Sequence, residues 1–225
     1  MSRVILVVEG PTEQIVIRDV VAPPLARQGI YVTAAQVGRP GQKGGVRSFV
    51  QVANDLARFF KQESDTLVGT FFDYYGLPPN WPGLAESKMR TDRSKAKIVE
   101  QAMLDAMVGL MGKGFRPERF IPYVQLHEIE ALLFVDPCVM AETFENPRLA
   151  GRFEEIVAAF KHDCEMINDD PSTAPSKQIK DLYPRYQKGK GLNAHAPMIL
   201  SRIGIDRLCT TCKCFGEWYG KLSQA

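Results

Sequence analysis

Three acidic positions each close a short apolar run in this 225-residue chain. Glu9 follows Val-Ile-Leu-Val-Val, Asp73 follows Val-Gly-Thr-Phe-Phe, and Glu128 and Glu130 follow Phe-Ile-Pro-Tyr-Val-Gln-Leu-His. Buried parallel strands read as continuous apolar runs, and ligands of open α/β sheets bind outside the carboxyl ends of such strands. Neighbouring parallel strands would bring these carboxylates to one edge. Close carboxylates require protons or hard cations to offset their repulsion. The expected chemistry is a Mg²⁺ (or Mn²⁺) site acting on phosphate.

Each position also has an ordinary structural role. Glu9 could shape a strand–helix turn. Glu13 could reach back to the amide of Gly10 at the start of a helix. Asp73 could make an Asx-turn. On a helix His127 and Glu130 share a face, whereas on a strand Glu128 and Glu130 do, so the spacing leaves open which glutamate reaches a site. Ala131 rules out the His-Glu-x-x-His zinc pattern.

The basic candidates are two. The loop at 39–47, with Arg39, Lys43, Arg47 and several glycines, could cradle phosphate. It lacks the Gly-Lys followed by Ser or Thr of a nucleotide-binding loop, so a solvated basic loop is expected. The segment 176–190 carries Lys177, Lys180, Arg185, Lys188 and Lys190 with Tyr183 and Tyr186 interleaved. It suits either a nucleic-acid backbone with unstacked bases or a plain exposed surface. Cys209-x-x-Cys212-x-Cys214 lacks the fourth ligand of a structural zinc site, with His195 the nearest other candidate, and no such site is expected.

The elements that would position these groups alternate. Strands are expected at 4–8, 31–37, 66–72 and 120–126. Helices are expected from Pro11 to about Val21, where Pro23-Pro24 should stop or kink the chain, through Phe49, Val52, Ala53, Leu56 and Phe60 at helical spacing, at 94–110, and from His127. Alternation of strand and helix predicts an α/β core with a mostly parallel sheet over 1–135. The remainder, 136–225, predicts a mainly helical C-terminal extension, with helices at 153–160 and 197–222.

Composition is that of a globular protein: 45% hydrophobic, 24% charged, net charge +2. That charge is too small to argue for nucleic acid without local clustering. Five unevenly spread cysteines do not read as a disulfide framework, which favours a reducing compartment. The first apolar run is too short for a signal-peptide core, and none approaches the ~18 residues of a membrane span. A soluble cytoplasmic protein without a membrane partner is expected.

Val8-Glu9-Gly10-Pro11-Thr12-Glu13 resembles the first motif of Toprim domains, especially those of overcoming-lysogenization-defect nucleases, and Phe71-Phe72-Asp73 falls where such domains place their second acidic motif. Together with His127-Glu128-Ile129-Glu130-Ala131-Leu132-Leu133, Ala174-Pro175-Ser176-Lys177 and Cys214-Phe215-Gly216-Glu217-Trp218, the chain resembles the family of domain of unknown function 4276, regarded as Toprim-like. The resemblance implies a Rossmann-like fold, Mg²⁺ and the breaking or forming of phosphodiester bonds. Glu9 would then be a general acid/base or metal ligand and Asp73 a metal ligand. Many Toprim domains carry Asp-x-Asp, whereas this chain has Asp73-Tyr74-Tyr75, so Glu128 or Glu130 would have to supply the absent ligand.

The resulting expectation is a Mg²⁺-dependent nuclease. Glu9, Asp73 and Glu128 or Glu130 hold metal, Glu13 assists, and a lysine, Lys177 or Lys188, offsets transition-state charge. By analogy with the family, a separately encoded ATPase partner and a role in defence against phage or plasmids are implied, with DNA favoured over RNA. A homodimer stays open. The alternatives are a non-catalytic binding or regulatory subunit of an ATPase complex, and a small-molecule phosphohydrolase using a strand-end aspartate as nucleophile.

Overall fold

A computed structural model describes residues 1–37, 48–62, 64–167, 173–186 and 190–225, with backbone alone at 190–193. The apolar runs become strands: β1 (Ser2–Val8), β2 (Ile30–Gln36) and β3 (Leu67–Asp73). Val4, Leu6, Val7 and Val8 of β1 are fully buried, as expected of a strand covered on both faces.

Between β1 and β2 the chain is helical: α1 (Pro11–Val16), a π-helical turn Ile17–Val21, then α2 (Ala22–Ala26). The expected stop at Pro23-Pro24 does not occur. The path widens through the π-helical turn, and the prolines fall in the first turn of α2, where an absent N–H donor costs little. α3 (Phe49–Gln62) leads to β3 and buries Val52, Ala53, Leu56 and Phe60, the face its spacing foretold. After β3 come α4 (Leu84–Ser87) and α5 (Ser94–Met111).

The strand expected at 120–126 is two short pieces, β4 (Phe120–Ile121) and β5 (Val124–Gln125), both parallel to β3. Pro122 has no N–H for the ladder. Thr70 bridges the break: the Tyr123 N–H donates to its hydroxyl at 3.0 Å, and that hydroxyl donates to the Tyr123 carbonyl at 3.2 Å.

The sheet runs β2-β1-β3-β4, with β5 also on β3, and every pairing is parallel. The order steps outward from β1 to β2 and then crosses back to β3. The topological switch therefore lies between β1 and β3, where α/β sheets bind ligands at their carboxyl ends.

The helix expected from His127 starts later and is tighter. His127 is left-handed (φ 63°), Glu128 is extended, and a 3₁₀ helix spans Ile129–Val135. The His127 carbonyl accepts from Tyr75 N–H at 3.2 Å, tying this turn to the end of β3. The C-terminal region is helical: α6 (Pro137–Thr143), α7 (Ala150–Ala159), α8 (Pro175–Leu182), α9 (Lys190–Ile203), α10 (Ile205–Thr211) and α11 (Lys213–Leu222). It shares one buried apolar cluster with the sheet. Trp218 of α11 stacks on Tyr123 at 4.8 Å and meets Phe71 of β3 edge-on at 5.3 Å. Among the described residues no helix is long and apolar enough to cross a membrane.

Candidate functional site

The register carries the acidic residues to one edge. Val8 lies opposite Phe71, so Glu9 leaves β1 beside the end of β3. Asp73 is the last residue of β3 and pairs with Gln125 of β5, three residues before Glu128. Glu13 returns to the same edge from the first turn of α1.

Asp73 is where these charges meet. Burial, followed by the charges of Glu13, Glu130, Glu9 and Glu128, pushes its carboxyl well above the ordinary carboxylate range. Its Oδ1 is buried and makes no hydrogen bond. A buried acceptor left in that state costs free energy, which a bound ion would relieve. Both Glu128 and Glu130 act on Asp73, so the helix-or-strand alternative for this pair gives way to a third geometry, an extended Glu128 followed by a 3₁₀ turn.

Three of the other acids, Glu13, Glu128 and Glu130, are held by named donors. Gly10 N–H donates to Glu13 Oε2 at 2.9 Å. Ser176 N–H, in the first turn of α8, donates to Glu128 Oε2 at 3.0 Å, the helix end whose dipole favours an anion. The Tyr186 hydroxyl donates to Glu130 Oε1 at 3.1 Å. Gly76 passes so close to Glu9 that a Cβ there would lie 2.5 Å from Oε2.

Among the described residues no group of three or more His, Cys, Asp or Glu side chains is arranged to hold a metal ion. The acids act on one another through charge, with Glu13, Glu128 and Glu130 turned toward their own donors. An all-oxygen donor set with the orphaned Asp73 Oδ1 fits a hard cation in chemistry. A full coordination shell would require these side chains to turn inward.

Two further groups flank this edge: Lys95, which was not among the sequence candidates, and His127, which was weighed only for the face it shares with Glu130. Lys95 is 4% exposed and is the one Lys or Arg among the buried charged groups of the described residues. Burial lowers its pKa, and its Nζ lies 5.4 Å from the ring centroid of Tyr74, the residue after Asp73. Its signal in the sequence is register: Lys95, Val99, Met103 and Met107 recur every fourth residue on the buried face of α5. His127 is buried and pushed down to about 4, first by burial, then by the charge of Lys95, so it is neutral near pH 7. Its left-handed backbone has no sequence signal.

The basic segment reads differently in place. Tyr186 is buried beneath Glu130, and Tyr183 stacks on Phe144 at 4.7 Å, so neither ring is an open platform for bases. Their apolar faces are used by the core. Lys177 is exposed, one residue from the amide that holds Glu128. Lys188, the loop with Arg39, Lys43 and Arg47, and the side chain of Lys190 lie outside the described residues. Cys212 precedes α11 with its sulfur 3.2 Å from that of Cys164, in a thiol pair.

The profile of a family described as Domain of unknown function (DUF4276) matches residues 8–223. The chain belongs to this family. The match spans both the acidic strand ends and the C-terminal helices that supply Ser176 and Tyr186, so the groups that orient the acids lie within the family's own span. Comparison with curated proteins and with solved structures finds no match.

Proposed function

We propose that the protein is a Mg²⁺- or Mn²⁺-dependent nuclease of Toprim-like organisation, hydrolysing phosphodiester bonds, DNA in preference to RNA, alongside a separately encoded ATPase in defence against foreign DNA. The observation that carries the reading is the convergence of four glutamate charges on Asp73 at the β1/β3 switch point. Carboxyls that raise one another's proton affinity in this way are unfavourable as a charged set on their own, and a cation among them would relieve that repulsion. When bound, the metal would supply Lewis-acid charge on the phosphate and a more acidic water.

The residues divide the remaining work. Asp73, Glu128 and Glu130 would provide the metal's oxygen ligands. Glu9, half-buried at the end of β1, is placed to accept a proton from the attacking water, while Glu13 fixes the Gly10 turn that presents it. Water adds at phosphorus, the bond to the leaving oxygen breaks, and that oxygen takes up a proton. Lys95, buried beside Tyr74, is a further candidate beside Lys177 or Lys188 to offset the charge that develops, because a desolvated cation acts more strongly.

The test is cleavage of DNA and RNA with Mg²⁺ or Mn²⁺, with and without the ATPase neighbour. Glu9→Gln, Asp73→Asn and Lys95→Met should each lower the rate by about 10²-fold or more. Cleavage untouched by Glu9→Gln and Asp73→Asn would overturn the site. A second reading, a non-catalytic subunit of an ATPase complex, draws on the local bonds that hold Glu13, Glu128 and Glu130 away from a shared ligand position. Absence of cleavage with the ATPase present, together with stable complex formation, would favour it.

A further inference from the structure

A cavity of about 540 Å³ opens beside the acidic edge. Its floor includes Lys95 and His127, and the latter directly precedes Glu128. Leu126, Phe160 and Met166 form an apolar side. The volume falls in the usual range for a small-molecule pocket, roughly 300–1,000 Å³. We propose that this cavity seats one unpaired nucleotide of a single-stranded DNA whose adjacent phosphate lies at the carboxylates, which makes single strands or frayed ends the substrate. The inference rests on the nuclease reading for the position of that phosphate.

Charge separates the base from the phosphate. The lining carries Lys95 and Lys161 against Asp92 and Asp163, and Asp163 is itself paired with Arg93. A wall of mixed sign concentrates neither charge, and it suits the uncharged base. Phe160 and Met166 are half-buried, so each retains surface toward the cavity, and an aromatic face is sequence-tolerant toward bases. A base can enter a concave site of this kind only after leaving its stack, which duplex resists and single strand does not.

The test uses the full chain with Ca²⁺ replacing Mg²⁺ and a short single-stranded DNA carrying 2-aminopurine at its terminal nucleotide. Ala159 is exposed at the cavity, so Ala159→Trp fills it without removing a core group. Wild type should quench the 2-aminopurine and bind the single strand at least about tenfold more tightly than blunt duplex or free nucleoside monophosphate. Ala159→Trp should lose the quench and about tenfold in affinity, while calorimetric Mn²⁺ binding stays as in wild type. Phe160→Leu, a milder change, should reduce the quench. Equal binding of duplex and single strand, tighter binding of the free monophosphate, or full quenching by Ala159→Trp would overturn the inference. Absence of Mn²⁺ binding by wild type, with quenching still lost in Ala159→Trp, would instead remove the metal reading and leave the cavity assignment in place.

Discussion

A methyl group on Gly76 would meet the far end of a flexible side chain, Glu9 Oε2 at 2.5 Å. Glu9 can swing away at little cost, so Gly76→Ala should leave unfolding free energy within about 0.5 kcal/mol of wild type. The same swing removes a carboxylate oxygen from the acidic edge. Mn²⁺ affinity, read by calorimetry, should fall about tenfold, since outer partners of metal ligands contribute 10–100-fold. An unchanged affinity would show that Glu9 does not act on the metal site where it stands. At this scale the sequence was informative for Glu9, Asp73, Glu128 and Glu130, because each ends an apolar run and the run itself predicts the strand. Lys95 was legible only through its buried register on α5, and nothing local marks the left-handed backbone of His127 (φ 63°), whose carbonyl accepts from Tyr75 N–H.

Elements are tied together by two carboxyls outside the acidic edge, one fully buried and one half-buried. Glu165 is fully buried and accepts from the amides of Cys214 and Phe215 at the start of α11, at 3.1 and 3.0 Å. Arg93, just ahead of α5, reaches it at 3.3 Å. Glu165→Ala would leave those amides without their acceptor and Arg93 with less compensation, and should destabilise the fold by about 3 kcal/mol in urea titration. Glu100 of α5 accepts from Val124 N–H of β5 at 3.0 Å, and burial raises its pKa to about 7. A carboxyl whose folded pKa exceeds its unfolded value binds more protons when folded. Its contribution is therefore most favourable at low pH and is lost as pH rises from about 4.5 toward 7. Wild type should lose on the order of 1–2 kcal/mol more than Glu100→Gln across that window, after allowance for partial exposure. The parallel strands and the longer helices α3, α5 and α7 were legible from periodicity. Three features were not: the π-helical turn that carries the helix past Pro23-Pro24, the split of the last strand around Pro122, and the 3₁₀ turn after His127. The π-helical turn is closed by its own backbone, with Ala22 N–H donating to the Ile17 carbonyl, whereas the strand break and the turn after His127 are fixed by bonds to the distant Thr70 and Tyr75.

Across the whole molecule, a sheet with its switch point between β1 and β3 places repelling carboxyls where such folds bind ligands. The helical C-terminal region then supplies the donors, Ser176 and Tyr186, that hold two of them. Such a site lowers the stability of the metal-free protein, and Asp73→Asn should raise metal-free stability by about 1 kcal/mol. A cation bound by the folded state alone adds RT ln(1 + [L]/Kd), about 2.7 kcal/mol at a hundredfold excess over Kd. Thermal unfolding with and without Mn²⁺ is the most direct measurement. Wild type should gain roughly 5–10 °C at saturating Mn²⁺, while Asp73→Asn starts higher and gains little. A wild-type melting temperature indifferent to Mn²⁺, or an equal gain in Asp73→Asn, would contradict a cation site at the acidic edge.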